Sequence, residues 1–265
     1  MLAIVAIGCG GKQEDDGPNT DPKAVAAVIA KYEAAANARI EKLKAVGAKA
    51  KDASMDKGYG GPDMAIAHTK LDESGKSSKL VVEGNALLVY TSDLLSLDDL
   101  TKAPTVRHRH MWAGEVAECV VAVKMKANGG YPMYSDTGND TFRVDTYRPL
   151  NTYAAEHACD ALLKATHVIV ADQTVKNATV NFAGSDKTFI PGFVEGTLKV
   201  FEIETGDYLG VKTFHAESSE KVEYSVNVDP STGHQVGGAM SDMNAVSADL
   251  RQQVESAIDA AVKTF

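Results

Sequence analysis

Beyond its first few residues, the 265-residue chain has no stretch near the ~18 consecutive apolar positions that a bilayer-spanning helix needs. Positive charge is also scarce, with 27 Lys and Arg against 36 Asp and Glu, a formal charge of −9 and a pI near 5.3. Phosphate backbones are bound by a basic face, so nucleic acid is excluded as a partner. Adsorption to anionic lipid head groups is excluded on the same ground. The catalytic signatures readable from sequence are missing too. There is no Gly-x-x-x-x-Gly-Lys-Ser/Thr phosphate loop, no Gly-x-Ser-x-Gly elbow and no His-Glu-x-x-His pair. No cofactor is implied.

What remains is ordinary globular material. Apolar residues make up 44% and charged residues 24%, so a core of normal size is expected.

The amino terminus carries the most informative pattern. Ile4-Val5-Ala6-Ile7 leads to Gly8 and Cys9, and a polar stretch follows from Gly10 through Lys12, Asp15, Asp16, Gly17, Pro18 and Thr20. This resembles the lipobox of bacterial lipoproteins, in which a small residue precedes a cysteine that is cleaved, acylated and left as the new amino terminus. The resemblance implies a signal segment over 1–9, lipid attachment at Cys9 by an acyl chain such as palmitate, and a flexible tether over 10–20. Gly10, in place of Asp, implies sorting to the outer membrane, facing the periplasm. Each buried CH₂ of an acyl chain contributes about 0.8 kcal/mol to attachment, and two or more chains anchor firmly.

With Cys9 given to the lipid, Cys119 and Cys159 remain. In the oxidising compartment that the resemblance implies, an even pair reads as one disulfide. Two buried free thiols are the alternative, since cysteine is a common core residue.

The body, about 245 residues, suffices for one large domain or two small ones. Asp21 supplies a capping side chain before Pro22, and a helix is expected to about Val46, with Gly47 near its end. Val25, Ile29, Tyr32, Ala36, Ile40 and Leu43 form one apolar stripe on it. The stripe either docks on the protein's own sheet or forms a coiled-coil stalk for a partner. A loop is expected over 52–78, and strand material at 79–91, with a short helix following Ser92. Val116 to Met125 alternates as a strand through Cys119, Val121 and Val123, and Gly129 to Asp140 reads as a loop. A helix from Asn151 or Thr152 to about Ala165 precedes a short strand, Val168 to Ala171.

Glu204-Thr205-Gly206-Asp207 marks a tight hairpin between strands at Gly196–Ile203 and Tyr208–Phe214. A further strand is expected through Val222, Tyr224, Val226 and Val228, and a closing helix from Ser241 to Phe265. The expected class is α+β. A mostly antiparallel sheet packs helices on one face, after a long amino-terminal helix over 21–52, with the α+β body at 79–265. Gly196 to Gly206 and its succeeding strand are similar to hairpins of envelope lipoproteins whose β-meander is covered by helices. The curli-secretion lipoprotein and the amino-terminal domain of TolB are of this kind. That similarity concerns fold and implies no functional residue.

Candidate chemistry is sparse. In Arg107-His108-Arg109-His110, the two histidines would share a strand face, as metal ligands must, but the interleaved arginines repel a cation. A solvated basic strand or an anion patch suits the quartet better. Asp136-Thr137-Gly138 matches the aspartic-protease tripeptide, yet no second copy exists to share a proton. Asp136, Asn139 and Asp140 offer oxygen ligands for calcium without the EF-hand pattern. His215, Ser218 and Ser219 could approach a triad only through geometry that a sequence does not show. Two function classes follow. The first is a membrane-anchored envelope lipoprotein that binds or assembles with an envelope protein partner. The second is a hydrolase or metal-dependent enzyme with a site near His108, His110 and Asp136.

Overall fold

A computed structural model describes residues 19–71, 80–95, 97, 119, 123, 131–136, 142–148, 151–183, 186–220, 227–228, 231, 235–236 and 238–265. Helix α1 (Pro22–Asp52) begins as expected, with Pro22 in its first turn and the Asp21 carboxylate accepting from the Lys23 N–H at 3.4 Å. It continues past Gly47. That glycine is a packing residue: a β carbon there would lie 2.7 Å from Cβ of Leu94, on the short helix α2 (Thr91–Leu95).

Val25, Ile29, Ala36, Ile40, Leu43, Val46 and Ala50 of α1 are buried. They pack with Leu94 and with Ala155, Ala158, Cys159 and Leu162 of α3 (Thr152–Lys164), above the sheet residues Val168, Val170 and Phe201. The stripe therefore belongs to the protein's own core, and the stalk alternative falls.

The main sheet has four strands in the order β10 (Tyr208–Glu217), β9 (Phe193–Glu202), β6 (His167–Lys176), β3 (Ala86–Tyr90). β3 runs parallel to β6, and the other pairs are antiparallel. The α+β class and the mostly antiparallel sheet both hold, since two of its three pairings are antiparallel and the β3–β6 pairing makes it mixed. Helices also occupy both faces. Ile169, Ala171, Leu198, Val200 and Phe214 meet Leu250, Val254, Ile258 and Val262 of α4 (Gly238–Val262) on the side opposite α1. β3 and the Val168 to Ala171 stretch of β6 are buried throughout, as strands covered on both sides must be.

Four two-stranded ladders complete the described residues. They are β1 (His68–Leu71) with β2 (Leu80–Glu83), β4 (Tyr131–Asp136) with β5 (Phe142–Arg148), β7 (Thr179–Ala183) with β8 (Asp186–Ile190), and β11 (Asn227–Val228) with β12 (Gln235–Val236). β1 and β4 correct the loops expected over 52–78 and 129–140. Cys119 and Val123 correct another expectation, being helical rather than extended. Residues four apart share a face in both periods, so the apolar pattern did not discriminate. The strand residues expected at Val222, Tyr224 and Val226 lie outside the described residues.

The β9–β10 turn ties α1 to the sheet. Gly206 adopts φ 68°, in the left-handed region that glycine tolerates. Its carbonyl accepts from Lys49 Nζ at 2.9 Å. Glu204 pairs with Arg39 at 2.9 Å and with Lys42, while Arg39 also donates to the Leu163 carbonyl at 3.0 Å. The hydrogen bond from Lys42, aided by the charges of Arg39 and Lys42, holds the Glu204 carboxyl below its usual range.

Cys119 and Cys159 form a disulfide, with Cα atoms 4.8 Å apart and both residues fully buried. It closes a 40-residue separation, worth about 4 kcal/mol in the chain-entropy account. Reduction should lower the denaturant midpoint by a corresponding amount; two freely labelled thiols in the oxidised protein would contradict the bridge.

Tyr32 donates to Asp160 Oδ1 at 3.2 Å across the α1–α3 contact. Burial first, then the charges of Asp160 and Glu156, push its pKa from 10.0 to about 12. Through that window the unfolded chain has lost the proton and the folded one keeps it, so stability falls as pH rises. Tyr32→Phe should make this alkaline loss shallower in denaturation series across pH, whereas identical slopes in the two proteins would contradict the assignment.

Candidate functional site

β6, β9 and β10 are each ten residues long, and only part of their length is apolar. On the α1 side, cross-strand register arranges their side chains in rows. Val170, Lys199 and Val211 form the row at the edge of the helical layer. Beyond it come Asp172, Thr197 and Thr213, then Thr174, Glu195 and His215, then Lys176, Phe193 and Glu217. Rows stand about 7 Å apart along the strands and columns about 5 Å apart across them. These three rows are exposed or half-buried. They border an open groove of about 710 Å³ lined by Asp172, Thr174, Glu195, Thr197, Thr213 and His215 and by the strand residues between them.

The inner wall is set by Lys199, which is 6% exposed. Its ammonium donates to the Ala50 carbonyl at 2.7 Å and lies 3.4 Å from Asp172 Oδ2. The Ala50 carbonyl is among the last four of α1, which have no partner within the helix, and a cation is favoured at that end of the dipole. Lys199 thus caps the helix and steadies Asp172 with one group.

At the outer end, His215 sits between two carboxylates. Its Nε2 is 3.0 Å from Glu217 Oε1, and its Nδ1 is 3.6 Å from Glu195 Oε1. The Phe193 ring lies 6.1 Å from the imidazole, and Lys176 Nζ stands 5.6 Å from the Phe193 centroid.

This geometry places a histidine among acceptors and, among the described residues, gives it no nucleophile. Ser218 Oγ accepts from the Gly192 N–H at 3.2 Å. Ser219 Oγ donates to Asp249 Oδ1 at 2.7 Å, its N–H donates to Asp249 Oδ2 at 2.7 Å, and Gln253 donates to the same hydroxyl at 3.1 Å. Both serines fasten the end of β10 to its surroundings, and neither pairs with His215.

Of the other residues singled out from sequence, Cys9, His108, His110, Asn139 and Asp140 lie outside the described residues. Asp136 ends β4, in register with Phe142. Among the described residues, no group of three or more His, Cys, Asp or Glu is placed to hold a metal ion, and no helix is long and apolar enough to cross a membrane. The groove itself was missed from sequence. Its one available signal was the alternation of Phe193, Glu195 and Thr197 with the buried Val194 and Leu198.

Compared with protein-family models, curated proteins and solved structures, the chain matches none.

Proposed function

We propose that this chain is a lipid-anchored protein of a bacterial cell envelope, held through Cys9, that acts by binding an envelope protein rather than by turning over a substrate. The observation that carries the reading is the Gly8-Cys9 pair, which follows an apolar opening and precedes a polar tether. That tether leads to Asn19, whose carbonyl accepts from the Thr152 N–H at 2.9 Å where α1 and α3 begin together. A lipid-held chain would therefore be gripped at that end of the helical layer.

Two further features support it. A buried disulfide suits an oxidising compartment such as a periplasm. The open groove offers acceptors and hydroxyls at strand spacing, an arrangement fitted to recognition.

Cells expressing the full chain and fed labelled palmitate should incorporate label into the protein, and it should partition with membranes. Cys9→Ser should abolish both. Equal membrane partitioning of the unlabelled Cys9→Ser protein would overturn the anchor.

A further inference from the structure

We infer that the three uncovered rows of the sheet receive a basic, extended segment of a partner protein. This deepens the binding role proposed above and rests on it. Charge favours such a segment. The groove lining carries the carboxylate of Glu195 and that of Asp172, the latter already paired with Lys199, and no Lys or Arg; Glu217 adds a further carboxylate at its outer end. The nearby cations are already placed: Lys199 is buried against Ala50 and Asp172, and Lys176 stands at the far corner beside the Phe193 ring. With a chain charge of −9, the long-range field also draws a basic partner in.

Strand spacing favours it too. Rows about 7 Å apart equal the two-residue repeat of an extended chain, so basic side chains at alternate positions meet successive rows. Glu195 and Glu217 already flank one cation-forming group, His215, at 3.6 and 3.0 Å. A guanidinium offers a fork of donors that suits such flanking carboxylates better than an imidazole does.

The groove's open shape suits a segment better than a small ligand. Small ligands bind where about 70–90% of their surface can be covered, and a groove on an open strand face does not enclose one. A segment carried by a partner has no such requirement, because the partner's own body supplies the remaining contact.

The test uses the full chain in mild detergent and a fluorescein-labelled peptide of alternating arginine and threonine, read by anisotropy at low salt. Saturable binding is expected, tighter than that of a peptide of the same composition with its arginines in one block. Glu195→Gln/Glu217→Gln should weaken it about tenfold or more. Glu33→Gln/Glu41→Gln, which removes the same charge from α1 well before its groove-side end at Ala50, should leave it unchanged. Absence of saturable binding, equal loss in the two double variants, or indifference to arginine spacing would each overturn the inference. Displacement by spermidine as effective as by unlabelled peptide would also overturn it, by making a small polycation the occupant. Palmitate labelling at Cys9 is read separately, so failure here and failure of the anchor are distinguishable.

Discussion

The docking of α1 across one face of the sheet is the constraint on which the remaining architecture depends. Its buried stripe from Val25 to Ala50 supplies much of one core, shared with α2, α3 and the sheet. Hydrophobic burial is non-directional, so the stripe alone would not fix where the helix lies. Direction comes from polar contacts at the ends of the interface. Arg39, Lys42 and Lys49 reach the β9–β10 turn, Arg39 also reaches α3, and Lys199 closes the last turn of the helix from below. Ion pairs to an exposed carboxylate such as Glu204 contribute little energy singly. Lys199 differs, because a buried ammonium without its acceptors would be costly.

The same constraint creates the groove. The helical layer ends over the row of Val170, Lys199 and Val211, while the strands run on for three more rows. The opposite face is handled differently, since α4 packs there on Phe214 and Ala216 as well as on Val200. Beyond the helical layer, one face of the sheet is therefore packed by α4, and the other is exposed or half-buried. That division explains how alternating residues of one strand can be oily and polar without any change in backbone.

Much of the framework was legible in the sequence where local chemistry and tertiary packing agree. Asp21-Pro22 marks a helix start, Thr205-Gly206 marks a hairpin, and Val168 to Ala171 reads as a doubly buried strand. Misreadings arose where one residue type serves two purposes. Gly47 looks like a helix end but exists to let Leu94 approach. Cys119 and Val123 fit both an alternating strand and a helical face. The strands were read short because the portions of β6, β9 and β10 beyond the helical layer are polar on one side, and a ladder of backbone hydrogen bonds continues regardless of side chain. The groove was illegible for a related reason: Asp172, Glu195 and His215 come from three strands and meet only through register.

α1 is an integral layer of the fold, and Ile40 tests this most directly because it is fully buried at the centre of that helix's core-facing stripe. Equilibrium unfolding of Ile40→Ala should show one cooperative transition, less stable than the parent by about 2–5 kcal/mol. An unchanged midpoint would mean that the helix stands free of the body, and the groove's inner wall would then have no support.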